Sequence, residues 1–206
     1  EVFGRVPKEK LPIDESCSFH PASPYAISKI GTDMIGQYYA EAFGLNTQVT
    51  RMFTHTGPRR GDVFAESTFA KQIALIEDNR QSPQVMVGNL ESLRTWADVR
   101  DAVCAYYMLV TMNPIPGATY NIGGQTTKSV REMLDTLISF SSKKDEISVT
   151  EDPERLRPID ADLQVPNTAK FEAHTGWKPE YTFEQTMLDL LNYWRERIKK
   201  ENVLSR

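Results

Sequence analysis

The chain predicts an α/β fold. Segments with apolar residues at helical spacing alternate with short runs suited to buried strands. Several helices carry their own start and stop residues. Hydrophobic residues fill 40% of the 206 positions and charged residues 25%, the balance of a globular chain long enough to bury a core.

Lys8 to Pro24 reads as a polar, proline-bearing loop. Ala26 to Phe43 follows as a helix with apolar Ile27, Ile30, Met34, Ile35 and Tyr38, and Gly44 stands where helices stop. This helix is too apolar around its circumference for a lone surface helix, so it is expected at a subunit interface. Thr47 to Phe53 alternates toward a buried strand. Phe69, Ile73 and Ile76 mark a second helix, Gln84 to Val87 a short strand, and Val99, Val103, Tyr106 and Val110 a third helix. Ala118 to Ile122 is strand-like. Ser129 with Glu132 forms a capping box for a helix bearing Met133, Leu134, Leu137 and Ile138. Glu146 to Thr150 is another short strand, and Thr182 with Gln185 opens the last helix, striped by Met187, Leu190, Leu191, Trp194 and Ile198.

A net charge of −4, with basic residues scattered outside Arg59-Arg60 and the Arg195–Lys200 region, gives no reason to expect nucleic acid. No apolar run approaches the roughly 20 residues that span a bilayer. Cys17 and Cys104 lie far apart without a paired motif, and reduced thiols in a cytoplasmic protein are the simplest reading. No His/Cys/Asp cluster has metal-ligand spacing, so no metal is expected.

Tyr25 and Lys29, within Ser23-Pro24-Tyr25-Ala26-Ile27-Ser28-Lys29, are four residues apart at the start of the first helix, and that spacing puts both on one face. A nearby ammonium favours phenolate over phenol. Phenolate can take the proton of a sugar hydroxyl as hydride leaves the same carbon. The spacing alone equally describes a solvated helix face, so the motifs around it matter. They are Glu1-Val2-Phe3-Gly4, Arg51-Met52-Phe53-Thr54-His55-Thr56-Gly57-Pro58-Arg59-Arg60-Gly61, Leu93-Arg94-Thr95-Trp96-Ala97-Asp98-Val99-Arg100-Asp101 and Tyr120-Asn121-Ile122-Gly123-Gly124.

In this order and at these distances the motifs resemble the extended short-chain dehydrogenase/reductases, the NAD-dependent epimerase/dehydratase family, that modify nucleotide-linked sugars. The resemblance is strongest to GDP-mannose 4,6-dehydratases and their sisters, the GDP-4-keto-6-deoxymannose reductases. It implies the C-terminal part of a Rossmann-type doubly wound parallel sheet with a small α/β substrate-binding domain. Residues 1–60, completed by about 98–124, would form the second half of the dinucleotide-binding domain. Residues 61–97 and 125–206 would form the nucleotide-sugar-binding domain. The sequence holds no Gly-rich strand-turn-helix of the dinucleotide-binding type and opens within a motif, so it is expected to be the C-terminal portion of a longer chain. The diphosphate-binding glycines and a catalytic Ser or Thr would then precede Glu1.

The resemblance also implies roles. Tyr25 is the acid/base, Lys29 its cation and a ligand of the nicotinamide ribose, and Glu1 the base that removes the C5 proton. Phe53, His55 and Arg60 are expected beside an NADP or NAD cofactor. Thr54, Arg94, Arg157 and Asp160 are expected on a GDP-linked sugar, because guanidinium pairs phosphate oxygens bidentately. Relatives commonly carry asparagine where Thr54 stands, which leaves the sugar open. Arg59-Arg60 either binds phosphate, reaches a neighbouring subunit or is solvated. The implied activity is an NADP-dependent 4,6-dehydratase acting on GDP-mannose, in a homodimer or tetramer. The alternatives are the 4-keto reductase, a 4-epimerase, or a non-enzymatic binding or assembly module.

Overall fold

The computed structural model describes residues 1–156 and 163–200. Along the chain run α1 (Pro24–Phe43), β1 (Val49–Met52), β2 (His55–Thr56), α2 (Ala65–Glu77), β3 (Gln84–Val87), β4 (Leu93–Asp98), α3 (Val99–Thr111) and β5 (Thr119–Ile122). They are followed by β6 (Thr126–Ser129), α4 (Val130–Ser139), β7 (Ser148–Glu151), β8 (Leu163–Gln164), α5 (Ala169–Thr175) and α6 (Phe183–Lys200). The described residues divide into two compact units. Unit 1 holds residues 1–55, 92–127 and 163–180, and unit 2 holds 56–91, 128–156 and 181–200.

Unit 1 is built on β1 and β5, paired in parallel with Arg51 beside Asn121 and Met52 beside Ile122. A parallel pair needs a crossover rather than a hairpin, which is why long stretches of sequence separate the two. The first helix forms where its ends dictate. Ser23 caps it by accepting the Ala26 N–H, Pro24 occupies the first turn, and Gly44 terminates it in the left-handed region at φ 65°. Gly36 lets α1 approach the sheet: a Cβ there would sit 3.2 Å from Val49 Cγ2. Thr47 Oγ1 donates to Gly36 O at 2.7 Å across the same contact.

One core cluster joins Ala105 and Leu109 of α3, Tyr120 and Ile122 of β5, Phe171 of α5, and Trp177. Residues 163–180 belong to unit 1 with β1 and β5. β8 pairs with β4 in parallel, and Phe171 and Trp177 are buried with Tyr120. Helix α5, which the sequence analysis does not include, carries His174. The His174 ring takes Tyr120 OH at 2.6 Å and Asn113 O at 3.0 Å. A second cluster, Phe3, Val6, Ile13 and Phe53, fastens the N-terminal residues.

In unit 2, β3 and β7 pair in parallel, and α2, α4 and α6 pack together. Ser129 and Glu132 form the expected capping box of α4. Met187, Leu190, Leu191, Trp194 and Ile198 of α6 are all buried, as the stripe required. Arg195 clamps Glu77 with bonds of 2.7 and 2.8 Å and also reaches Phe140 O. Burial raises the Glu77 carboxyl, but the hydrogen bonds from Arg195, Ser141 and Ser142 outweigh it and hold the group below its ordinary value of 4.5. A carboxyl depressed by folding stabilises the fold above its unfolded value, and that contribution fades as pH falls through the folded one. Urea unfolding should therefore show unit 2 weakening below about pH 4.5, and Glu77→Gln should remove that part of the acid sensitivity. Among the described residues no helix is long and apolar enough to cross a membrane.

Candidate active site

Tyr25, Lys29 and Glu1 of unit 1 gather around the N-terminus of α1. Tyr25 is 62% exposed. The Lys29 Nζ stands over its ring, 5.3 Å from the centroid, so the four-residue spacing does bring ammonium and phenol together. Helical geometry alone achieves this, because positions i and i+4 are neighbours on one face.

Glu1 is held against the same helix start by side chain and main chain. Ser23 Oγ donates to Glu1 Oε2 at 2.6 Å while accepting Ala26 N–H at 3.1 Å. Ala22 N donates to Glu1 O at 3.3 Å, and His20 N to Val2 O at 2.9 Å. Gly4 closes the Glu1–Gly4 turn, its N–H reaching Glu1 O at 3.1 Å. Only glycine fits there: φ is 59°, and a Cβ would lie 1.8 Å from His20 O. Arg94 stands on β4, its guanidinium donating to Leu93 O at 3.3 Å.

The loop and helix beneath are set by Arg51. Its guanidinium pairs with Asp33 of α1 at 2.7 Å and donates to Glu15 O at 2.8 Å. It also lies 4.5 Å from the Phe19 ring centroid and 5.7 Å from that of Phe3. Both ionic partners are buried. Asn121, next to Arg51 in register, donates to Ile13 O with its side chain, and its buried Oδ1 accepts nothing among the described residues.

Other expectations fare differently. Phe53 is 7% exposed and stacks on Phe3, with centroids 6.0 Å apart, so its side chain packs in the core. Thr54 is half-buried and its carbonyl accepts Ala97 N–H at 3.0 Å. The His55 ring turns back to Phe53 O at 3.2 Å. Arg60 belongs to unit 2, where it pairs with Glu66 at 3.1 Å and covers the Phe64 ring at 3.4 Å. Arg157 and Asp160 lie outside the described residues.

Two residues near the site were missed. Ser23 was read as part of a motif, although a Ser-Pro pair before an apolar helix is a cap signal and a cap hydroxyl has a proton to donate. Tyr106 was read as part of an apolar stripe. Burial raises its phenol, opposed by a hydrogen bond from Thr50, and the nearby Tyr25 phenol adds to the rise. Tyr106 is thus a neighbour of Tyr25, which no local spacing could reveal.

Solved structures of the extended short-chain dehydrogenase/reductases share this mixed α/β architecture with its parallel strands. The RMD protein of Pseudomonas aeruginosa complexed with NADPH superposes with a TM-score of 0.86 at 30% identity, over 95% of this chain and 64% of that one. The dTDP-glucose 4,6-dehydratase of Bacillus anthracis in complex with NAD shares the fold at a TM-score of 0.78, over 96% of this chain and 60% of that one, with 23% identity. Residues 1–190 match the sequence family described as GDP-mannose 4,6 dehydratase, and the chain belongs to that family of nucleotide-sugar dehydratases and reductases. Curated relatives include the GDP-6-deoxy-D-mannose reductase of Pseudomonas aeruginosa, 31% identical over 98% of this chain and 65% of the relative. Another is GDP-mannose 4,6 dehydratase 1 of Arabidopsis thaliana, 28% identical over 100% of this chain and 55% of the relative. The chain thus spans between about half and two thirds of these relatives' length.

Proposed function

We propose that the full-length protein is an NADP-dependent (or NAD-dependent) nucleotide-sugar 4,6-dehydratase that converts GDP-mannose to GDP-4-keto-6-deoxymannose. The observation that carries this is Glu1, a carboxylate bonded through Ser23 to the helix start that bears Tyr25. Ketone reduction does not require the C5 proton to be removed, whereas a dehydratase needs a base for it. The exposed Tyr25–Lys29 face suits a nicotinamide ribose, which Lys29 would hold, with His55 and Arg60 as further cofactor candidates. The bound cofactor would supply the acceptor for hydride from C4 and the donor of hydride to C6.

Tyr25, as phenolate, takes the C4 hydroxyl proton. The resulting ketone acidifies C5, whose proton passes to Glu1, and the C6 hydroxyl departs as water with the proton that Tyr25 took from the C4 hydroxyl, which restores Tyr25. Glu1 then returns its proton to C5 as C6 receives hydride. The sum is loss of one water and no net redox change. Arg94, with Thr54, whose carbonyl accepts the Ala97 N–H of the same strand β4, would bind the diphosphate and sugar. Arg157 and Asp160 are proposed for the same ligand, and residues 1–60 with 98–124 for the dinucleotide side.

The reductase is the second reading, favoured by the relative at 31% identity. Product analysis of full-length protein incubated with GDP-mannose and catalytic NADP⁺ separates them. A 4-keto sugar is the expected product; no product, with stoichiometric NADPH consumption on a 4-keto sugar, would hand the assignment to the reductase. For assembly, Ile35, Tyr38 and Phe43 of α1 and Val103, Tyr107 and Val110 of α3 all face solvent within unit 1. A second copy is the proposed cover, and light scattering from the full-length protein at monomer mass would refute it.

A further inference from the structure

We propose that Ser23 is a positioning residue for the elimination step, holding the Glu1 carboxylate as the base through its hydroxyl proton. The inference rests on the dehydratase reading of Glu1. Its observations are geometric. The Ser23 hydroxyl has one proton and spends it on Glu1 Oε2 at 2.6 Å, while its lone pair takes the Ala26 N–H at 3.1 Å. The partially positive N-terminus of a 20-residue helix therefore acts on the carboxylate through a single oxygen. The backbone bonds Ala22 N to Glu1 O and His20 N to Val2 O fix the two segments beforehand, so the hydroxyl has only the side-chain rotamer of Glu1 left to select. Bonding to the ionised form favours carboxylate over acid, the state a base must occupy before it meets C5. Tyr25 and Lys29 of α1, whose ring and ammonium lie together, stand at the same helix start, and His20 lies across the backbone bond to Val2.

A cap role and a tether role would both suffer from simple deletion of the hydroxyl, so the test uses caps of equal strength. Asparagine and aspartate cap helices as well as serine does. The amide of Ser23→Asn can still donate to Glu1, whereas the carboxylate of Ser23→Asp cannot and sets a like charge against it. The full-length enzyme is supplied with GDP-4-keto-6-deoxymannose in deuterium oxide, and exchange of the C5 hydrogen is followed against pH by NMR. Ser23→Asn is expected to exchange within about threefold of the parent, because placement is kept. Ser23→Asp is expected to fall on the order of tenfold to a hundredfold, with the acidic limb of its profile moved up by about one pH unit.

Equal rates in the two variants, or an unmoved limb in Ser23→Asp, overturn the proposal. Glu1→Gln separates the two levels. If it halts exchange while Ser23→Asp does not, the Ser23 role alone fails. If it leaves exchange intact, the dehydratase reading of Glu1 fails and the Ser23 role with it. Should Ser23→Asp not fold, Ser23→Gly against Ser23→Thr makes the same comparison: glycine costs a cap little but has no proton to give, and threonine keeps one. Equal exchange in that pair also overturns the proposal.

Discussion

Replacing Tyr25 with Phe is expected to reduce turnover of the full-length enzyme on GDP-mannose by on the order of 10²- to 10⁴-fold, the range over which a positioned proton acceptor acts. The substitution removes one oxygen from a side chain that is 62% exposed, so the fold has little to lose. Thermal unfolding should match the parent, and cofactor binding should persist because Lys29 is untouched. The reading is product formation by NMR alongside the melting temperature. Turnover near the parental rate would remove Tyr25 from the chemistry, and with it the whole acid/base assignment. Lys29→Met offers a companion check: it leaves the hydroxyl but takes the charge that stands 5.3 Å from the ring.

The second large effect is expected at a residue with no functional group. Gly4→Ala would place a methyl 1.8 Å from the carbonyl oxygen of His20, a backbone atom that cannot rotate away. Its φ of 59° adds strain for any residue with a Cβ. The turn must open, at a cost of about 1–3 kcal/mol, and opening it draws Glu1 away from Ser23. Elimination is expected to fall by about 10²-fold for a displacement near 1 Å, while cofactor binding holds. Gly44→Ala is the control. Its φ is 65°, but a Cβ there meets nothing within 4 Å, so it should lower the melting temperature and leave activity alone. Equal losses of activity in the two variants would show that Gly4 acts through stability only.

Local chemistry was legible in the sequence, and long-range chemistry was not. The ends of α1, the stripe of α6 and the capping box of α4 could each be read from residues within a few positions of one another. So could the Tyr25–Lys29 contact, which is a property of helical spacing. β4 was missed: four of its six residues are buried, so it lacks the alternation that marks a half-exposed strand. β2 and β8 have two residues each, too few for any period. The stacking of Phe53 on Phe3, fifty positions earlier, was not legible either, because its neighbours in the motif are polar. The Glu1–Ser23 bond joins residues 22 positions apart and could be met only in three dimensions.

Arg51 gives the site a timetable. Its guanidinium binds Asp33, the main chain at Glu15 and the rings of Phe3 and Phe19, all of which leave the ribosome before it does. Closing loops of this span costs chain entropy before any contact returns it. The helix bearing Tyr25 can therefore form early from its own caps, yet it acquires its bearing only when β1 arrives. Assembly of the reactive corner is a late and cooperative event of folding.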